Sequence, residues 1–230
     1  MIIVESSKSA LVLFSGGLDS TTALAYAISK NYQVIALTIN YKQRHSYEIL
    51  ASKKIINKYP NVKHIIFDID LTKIGGSALT DFDIQVPKLN TDGIPVTYVP
   101  ARNTIFLSIA ASYAEKFSIR DIFIGVNAVD YSGYPDCRPE FISAYEEMIN
   151  LGTKAGSEGS PFKIHTPLID LSKSEIIVMG TNLNIDYKDT VSCYDLNNRG
   201  EACGKCDSCF YRKQGFMDAG ISDPTIYVKK

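Results

Sequence analysis

An apolar run, Ala10-Leu11-Val12-Leu13-Phe14, stops at Ser15-Gly16-Gly17, and a helical pattern begins near Ser20. This junction restricts the fold more than any other stretch. A buried strand that feeds a glycine turn at a helix N-terminus leaves free backbone N–H groups together, where the helix dipole also favours an anion. Gly16 and Gly17 clear side chains from that approach and tolerate positive φ. Ser15, Ser20, Thr21 and Thr22 add hydroxyl donors, so the spacing suits a pyrophosphate. Two commoner phosphate loops are disfavoured. A Walker loop needs a Lys after its last Gly, and none follows Gly17. A dinucleotide fingerprint needs three spaced glycines, whereas Gly16 and Gly17 are adjacent with no third in place.

Apolar runs alternate with helical patterns beyond this point. Strands are expected at Leu11–Phe14, Gln33–Ile39, His64–Ile69 and Ile122–Val126, and helices at Ser20–Lys30, Tyr47–Lys58 and Asn103–Phe117. Repeated strand–helix units predict an α/β fold, a parallel sheet with helices on both faces. Ligands of such sheets sit beyond the carboxyl ends of the strands, where the loop after Phe14 lies. Residues 71–100 carry Gly75-Gly76, Pro87, Asp92-Gly93, Pro95 and Pro100 and read as a long loop. Residues 151–161 are small and polar and read as a mobile substrate lid.

A length of 230 residues allows one large domain or a domain with an appendage. A formal net charge of -1 gives no electrostatic reason to expect a nucleic-acid partner. No apolar stretch approaches a membrane span, and the first residues lack the charged start and long apolar core of a secretory signal. A cytoplasmic protein is expected.

Four of the five cysteines fall in Cys193-x9-Cys203-Gly-Lys-Cys206-Asp-Ser-Cys209. Four thiolates so spaced suit a closed, structural, tetrahedral zinc site. An iron–sulfur cluster is the nearest competitor, but Phe210-Tyr-Arg-Lys213 does not continue the ferredoxin pattern. The remaining thiol, Cys137, is either a nucleophile or a small packing group.

Ser15-Gly-Gly-Leu-Asp19-Ser20 resembles the signature loop of the N-type ATP pyrophosphatases, which cleave ATP between its α and β phosphates and transfer AMP to a substrate oxygen. Further motifs follow in order: Val99-Pro-Ala-Arg-Asn103, Gly125-Val-Asn127-Ala-Val-Asp130, Tyr134-Pro-Asp-Cys-Arg138-Pro-Glu-Phe141, His165-Thr-Pro-Leu168, Lys173-Ser-Glu-Ile176 and Thr190-Val-Ser-Cys-Tyr194. With the cysteine cluster they resemble the 7-cyano-7-deazaguanine synthase family over about residues 10–220. The resemblance implies a five-stranded Rossmann-like sheet of the adenine nucleotide alpha hydrolase type, carried by residues 1–180. It implies a zinc-binding helical segment at 181–230 packed on that sheet. It also implies a homodimer that converts 7-carboxy-7-deazaguanine and ammonia to the nitrile with ATP, without nucleic acid or membrane. A tRNA-modifying enzyme with the same adenylation chemistry and a non-catalytic ATP-binding regulator are the other readings.

The loop places Phe14, Ser15, Gly16, Gly17, Leu18, Asp19, Ser20, Thr21, Thr22, Ala23 and Leu24 around ATP. Asp19 caps the helix or holds the Mg²⁺ that accompanies ATP. Arg102 offers a planar donor fork to a phosphate or the substrate carboxylate, or else is a solvated surface residue. Lys173 either faces the α-phosphate or sits on an exposed helix face. Asn127, Asp130, Tyr134, Asp136 and Arg138 lie beyond the fourth strand, on the edge where a ring would bind, with Tyr131 or Tyr134 able to stack. Of the histidines, His45 and His165 lie near loops and are the contact candidates.

Overall fold

A computed structural model describes residues 8–88, 93–129 and 133–229. Strands β1 (Ser9–Leu13), β2 (Gln33–Asn40), β3 (Lys63–Asp68), β4 (Asp121–Phe123) and β5 (Lys163–His165) form one parallel sheet in the order β3-β2-β1-β4-β5. The chain winds outward from β1 to β3, then crosses to the other side of β1 for β4 and β5. The loops after β1 and β4 therefore diverge, and that crevice is where such sheets bind ligands.

β1 is central and buried on both faces, which explains its unbroken apolar run. Ala10, Val12 and Phe14 pack with Leu24, Ala27 and Ile55, from α1 (Leu18–Ser29) and α2 (Tyr47–Ile56). Leu11 and Leu13 point the other way, into a core shared with Leu107, Ala110, Ile142 and Ile149 of α3 (Arg102–Lys116) and α4 (Pro139–Gly152). Beyond the sheet, α6 (Lys173–Asn182) and α7 (Asp207–Asp218) meet α1 through Leu18, Ala23, Ile176, Ile177 and Phe216. The C-terminal segment thus packs beside the first helix. Among the described residues no helix is long and apolar enough to cross a membrane.

The four expected strands and three expected helices form within a few residues of their sequence bounds, and β5 adds a short edge. Residues 71–88 and 93–100 hold turns without a helix or strand, as the glycines and prolines require. The lid expected at 151–161 is not one. It contains a short helix, α5 (Lys154–Ser157), capped by Thr153 and tied to α3 where Glu115 Oε1 accepts Ala155 N–H at 2.9 Å. It leads into the amino end of β5, where Lys163 N–H donates to Arg120 O, opposite to the end that carries the glycine loop.

Candidate active site

The glycine loop is shaped by two neighbouring elements. Gly16 has φ +84°, and a Cβ there would lie 2.7 Å from Ser52 N and 3.0 Å from Glu48 O, so α2 lies directly on it. Gly17 is the extended N-cap of α1. Its N–H donates to Ser15 Oγ (3.2 Å), while Ser20 Oγ accepts Ser15 N–H (3.2 Å) and lies 3.0 Å from Ser15 Oγ. The chain leaving β4 then crosses the first turn of α1 at Gly125, where a Cβ would stand 3.0 Å from Asp19 and Ser20 backbone atoms.

These contacts open a cavity of about 300 Å³ at the carboxyl ends of β1, β2 and β4. Phe14, Ser15, Gly17, Leu18, Asp19 and Ser20 line it. Other members of the expected ATP set turn elsewhere. Thr21 Oγ1 donates to Gly17 O, Thr22 Oγ1 to Leu18 O, and Ala23 and Leu24 enter apolar clusters. Their place on the buried face of α1 takes the Thr21 and Thr22 hydroxyls away from the cavity. Gly16 shapes the turn from behind without lining the cavity.

Lys173 and Asp19 face each other across the loop. Lys173 Nζ lies 2.8 Å from both Asp19 carboxylate oxygens. A capping box between Ser172 and Glu175 fixes the start of α6 and thus the lysine's root. Gly215 of α7 lets the stem pass, since a Cβ there would be 2.5 Å from Lys173 Cγ.

Arg102, the first residue of α3, follows Ala101, whose φ of +53° is unusual for a residue with a side chain. Its guanidinium stands 5.7 Å from the Tyr134 ring centroid and 6.0 Å from that of Phe106. Burial opposes its charge, yet a guanidinium keeps its proton in proteins, and the nearby Asp136 carboxylate favours the cation. Arg102 is therefore an enclosed cation in the cavity wall, which removes the solvated-surface reading.

The expected ring contacts divide. Asn127 and Tyr134 line the cavity, yet the Asn127 amide donates to Leu168 O (3.0 Å) and Leu171 O, and the Tyr134 hydroxyl lies 2.8 Å from Thr97 Oγ1. Asp136 is buried as a helix cap, with Oδ2 accepting Asn103 N–H at 3.0 Å, and it does not reach the cavity. Arg138 is exposed outside the cavity wall, since α4 starts there and leads away. Asp130 and Tyr131 lie outside the described residues. Cys137 lines the cavity, but burial pushes its thiol up to about 11 despite Arg102 nearby. A thiol so protonated is a poor nucleophile at neutral pH. His165 instead stacks on Phe123 at 4.4 Å and bonds Asp121 at 2.6 Å, away from the cavity.

The segment after β2 supplies wall residues that the sequence reading overlooked: Tyr41, Gln43, Arg44 and Glu48, beside the expected His45. They follow the strand adjacent to β1, so the rule that picked out the loop after Phe14 applies to them equally. Burial raises the affinity of the Glu48 carboxyl for a proton, and His45, Arg102 and Gln43 oppose that rise.

The four C-terminal thiols converge, with all Sγ atoms within 4.8 Å of one another and Cys203 Sγ 3.9 Å from Cys209 Sγ. Tetrahedral Zn–S bonds place sulfurs about 3.8 Å apart. Backbone N–H groups of Asp195 and Cys203 donate to Cys193 Sγ, and those of Lys205 and Cys206 to Cys203 Sγ. Such donors suit thiolates, and four thiolates this close repel one another unless a cation holds them. Cys193, Cys203, Cys206 and Cys209 form a zinc site with no position left for water. The site also touches the loop region: Val191 N–H donates to Gly16 O (3.0 Å), and His45 Nε2 lies 3.0 Å from Cys193 O.

The family described as "Queuosine biosynthesis protein QueC" matches residues 9–220. The chain belongs to the QueC family. QueC relatives named 7-cyano-7-deazaguanine synthase include one from Methylococcus capsulatus, 58% identical over 220 residues, and one from Cellvibrio japonicus, 57% identical over 222. Each alignment covers 96% of this chain and 99% of the relative. In fold, this QueC chain is similar to a 4-thiouridine synthetase solved with RNA and bound ATP. The TM-score is 0.55 at 16% identity, covering 97% of this chain and 48% of that one. That likeness supports the adenine nucleotide alpha hydrolase-type sheet and, at this identity, the fold alone.

Proposed function

We propose that this protein is a 7-cyano-7-deazaguanine synthase: an ATP-dependent ligase that joins ammonia to 7-carboxy-7-deazaguanine and dehydrates the amide to the nitrile. A carboxylate resists nucleophiles because its charge repels them and oxide cannot leave. Attack of a carboxylate oxygen on the α-phosphorus of ATP forms an acyl-adenylate and releases pyrophosphate. Ammonia displaces AMP to give the amide. The amide oxygen is adenylated by a second ATP, and loss of AMP with a proton leaves the nitrile.

The observation that carries this reading is the single cavity where the glycine loop, the Lys173–Asp19 pair and the enclosed Arg102 meet, in a chain of the QueC family. The Ser15 and Ser20 hydroxyls, with the N-terminal end of α1 behind them, hold the departing pyrophosphate. Lys173 stabilises charge on the α-phosphate, the role of a preorganised cation. Asp19 would hold the Mg²⁺ of ATP, which neutralises phosphate charge when bound. Arg102 orients the substrate carboxylate through its donor fork. Asn127 and Tyr134 shape the wall next to the ring. Residues 1–180 form the adenylating body and residues 181–230 the metal-braced segment. The protein works in the cytoplasm as a homodimer, without nucleic acid; its formal charge of -1 supplies no cationic excess for phosphates.

Incubation with ATP, 7-carboxy-7-deazaguanine and ¹⁵N-ammonium tests this directly. A product with the mass of the ¹⁵N-labelled nitrile is expected; unchanged acid would overturn the assignment.

A further inference from the structure

Among the described residues lining the cavity, the acidic ones are Asp19 and Glu48. Asp19 is engaged by Lys173. Among the described residues Glu48 has one side-chain donor, Gln43 Nε2, at 3.2 Å from Oε2. Gln43 is itself fixed, because its Oε1 accepts Tyr41 N–H at 3.2 Å, so its amide nitrogen is turned toward Glu48. An ionised carboxylate has about four acceptor positions, and one donor leaves most of them unused. Burial without enough donors disfavours the charged form, in line with the raised proton affinity of Glu48. A ligand bringing N–H groups into the cavity would supply what the protein does not.

The neighbour of Glu48 narrows the ligand's pattern. His45 and Arg102 both line the cavity with Glu48 and favour its charged form, and Arg102, beside Phe106 as Tyr41 is, is the donor-only cation of the two. The wall thus offers a donor group beside an acceptor group. A 7-carboxy-7-deazaguanine edge reads, in order, carboxylate, ring carbonyl, ring N1–H and 2-amino group: two acceptors followed by two donors. The two sequences are complementary when Arg102 faces the carboxylate and carbonyl. We propose that Glu48 is the specificity-determining residue for the base, with its two oxygens accepting the ring N1–H and the 2-amino group. This rests on the deazaguanine reading above.

The test compares 7-carboxy-7-deazaguanine with its analogue lacking the 2-amino group, following AMP formation. AMP from the wild type with the first substrate secures the functional reading separately; its absence removes that reading and this one together. The wild type should prefer the amino-bearing substrate by roughly 10- to 100-fold in kcat/KM, because losing a hydrogen bond to a buried charge is costly. In Glu48→Gln the preference should fall to within about twofold while KM for ATP stays within about twofold of wild type. Glu48→Asp, which keeps the charge, should restore at least part of the preference. The proposal is overturned if Glu48→Gln keeps the wild-type preference or if its main effect is on KM for ATP. It is overturned too if Glu48→Asp shows no preference, or if both substrates slow equally in kcat with the loss of one limb of the pH profile. That last result would make Glu48 a proton acceptor. Circular dichroism confirms that each variant is folded, and Glu48→Asp carries the comparison if Glu48→Gln is not.

Discussion

Lys173 Nζ stands 2.8 Å from each carboxylate oxygen of Asp19, binding the first turn of α6 to the first turn of α1. The pair lies beside the glycine loop in the cavity wall and is largely shielded, with side chains 15% and 32% exposed. Asp19 holds the ammonium group in place, and an arriving phosphate can draw on a cation already ordered. Lys173→Ala should lower kcat/KM for AMP formation by about 10²- to 10³-fold, as loss of one preorganised charge does elsewhere. Steady-state kinetics at saturating ammonium would check this. A variant within threefold of wild type would remove Lys173 from the chemistry.

The metal knot adjoins the cavity: two residues before Cys193, Val191 N–H donates to Gly16 O of the glycine loop, and the His45 ring lies 3.0 Å from Cys193 O. Cys206→Ser should lose bound zinc and lower the thermal midpoint, since structural zinc contributes on the order of 10 kcal/mol to small metal-dependent folds. It should also raise KM for ATP. Elemental analysis of the purified variant and its thermal melt measure both effects; full zinc content would contradict the assignment.

Gly16→Ala places a methyl group 2.7 Å from Ser52 N at a φ of +84°. The obstacle is backbone, so no side chain can swing away. Destabilisation of about 2–4 kcal/mol is expected from overpacking and the left-handed strain together, read from urea denaturation. A cost below about 0.5 kcal/mol would show that α2 does not lie on the loop.

Cys137 is held as the neutral thiol by burial, pushed up to about 11. Only about one thiol in a thousand is then ionised at pH 8, and the reactive fraction grows as pH rises toward 11. Cys137→Ala should retain turnover within about threefold, and iodoacetamide should modify Cys137 more slowly than a free thiol at pH 8. Loss of turnover in the alanine variant would bring back a covalent route.

Much of this architecture was legible in the sequence because its signals are local. The β1 run, the diglycine and the Ser20–Lys30 pattern specify strand, turn and helix through short-range chemistry, and the cysteine spacing specifies a metal knot. What escaped depended on tertiary packing. β5 is three residues long and shows no period. The segment 151–161 reads as mobile from its glycines, yet Gly156 is small because Asn150 O lies where its Cβ would be. Asp136 looks like a ligand in a loop, but the folded chain uses it to cap α3. Glu48 reads as an ordinary first-turn acid until β2 and β1 are paired, which brings it over the crevice.

The most direct measurement is the nucleotide product balance during conversion of 7-carboxy-7-deazaguanine with ammonium. Adenylation at this loop predicts two AMP and two pyrophosphate for every nitrile formed, with no ADP. ADP and orthophosphate appearing in step with product would contradict it.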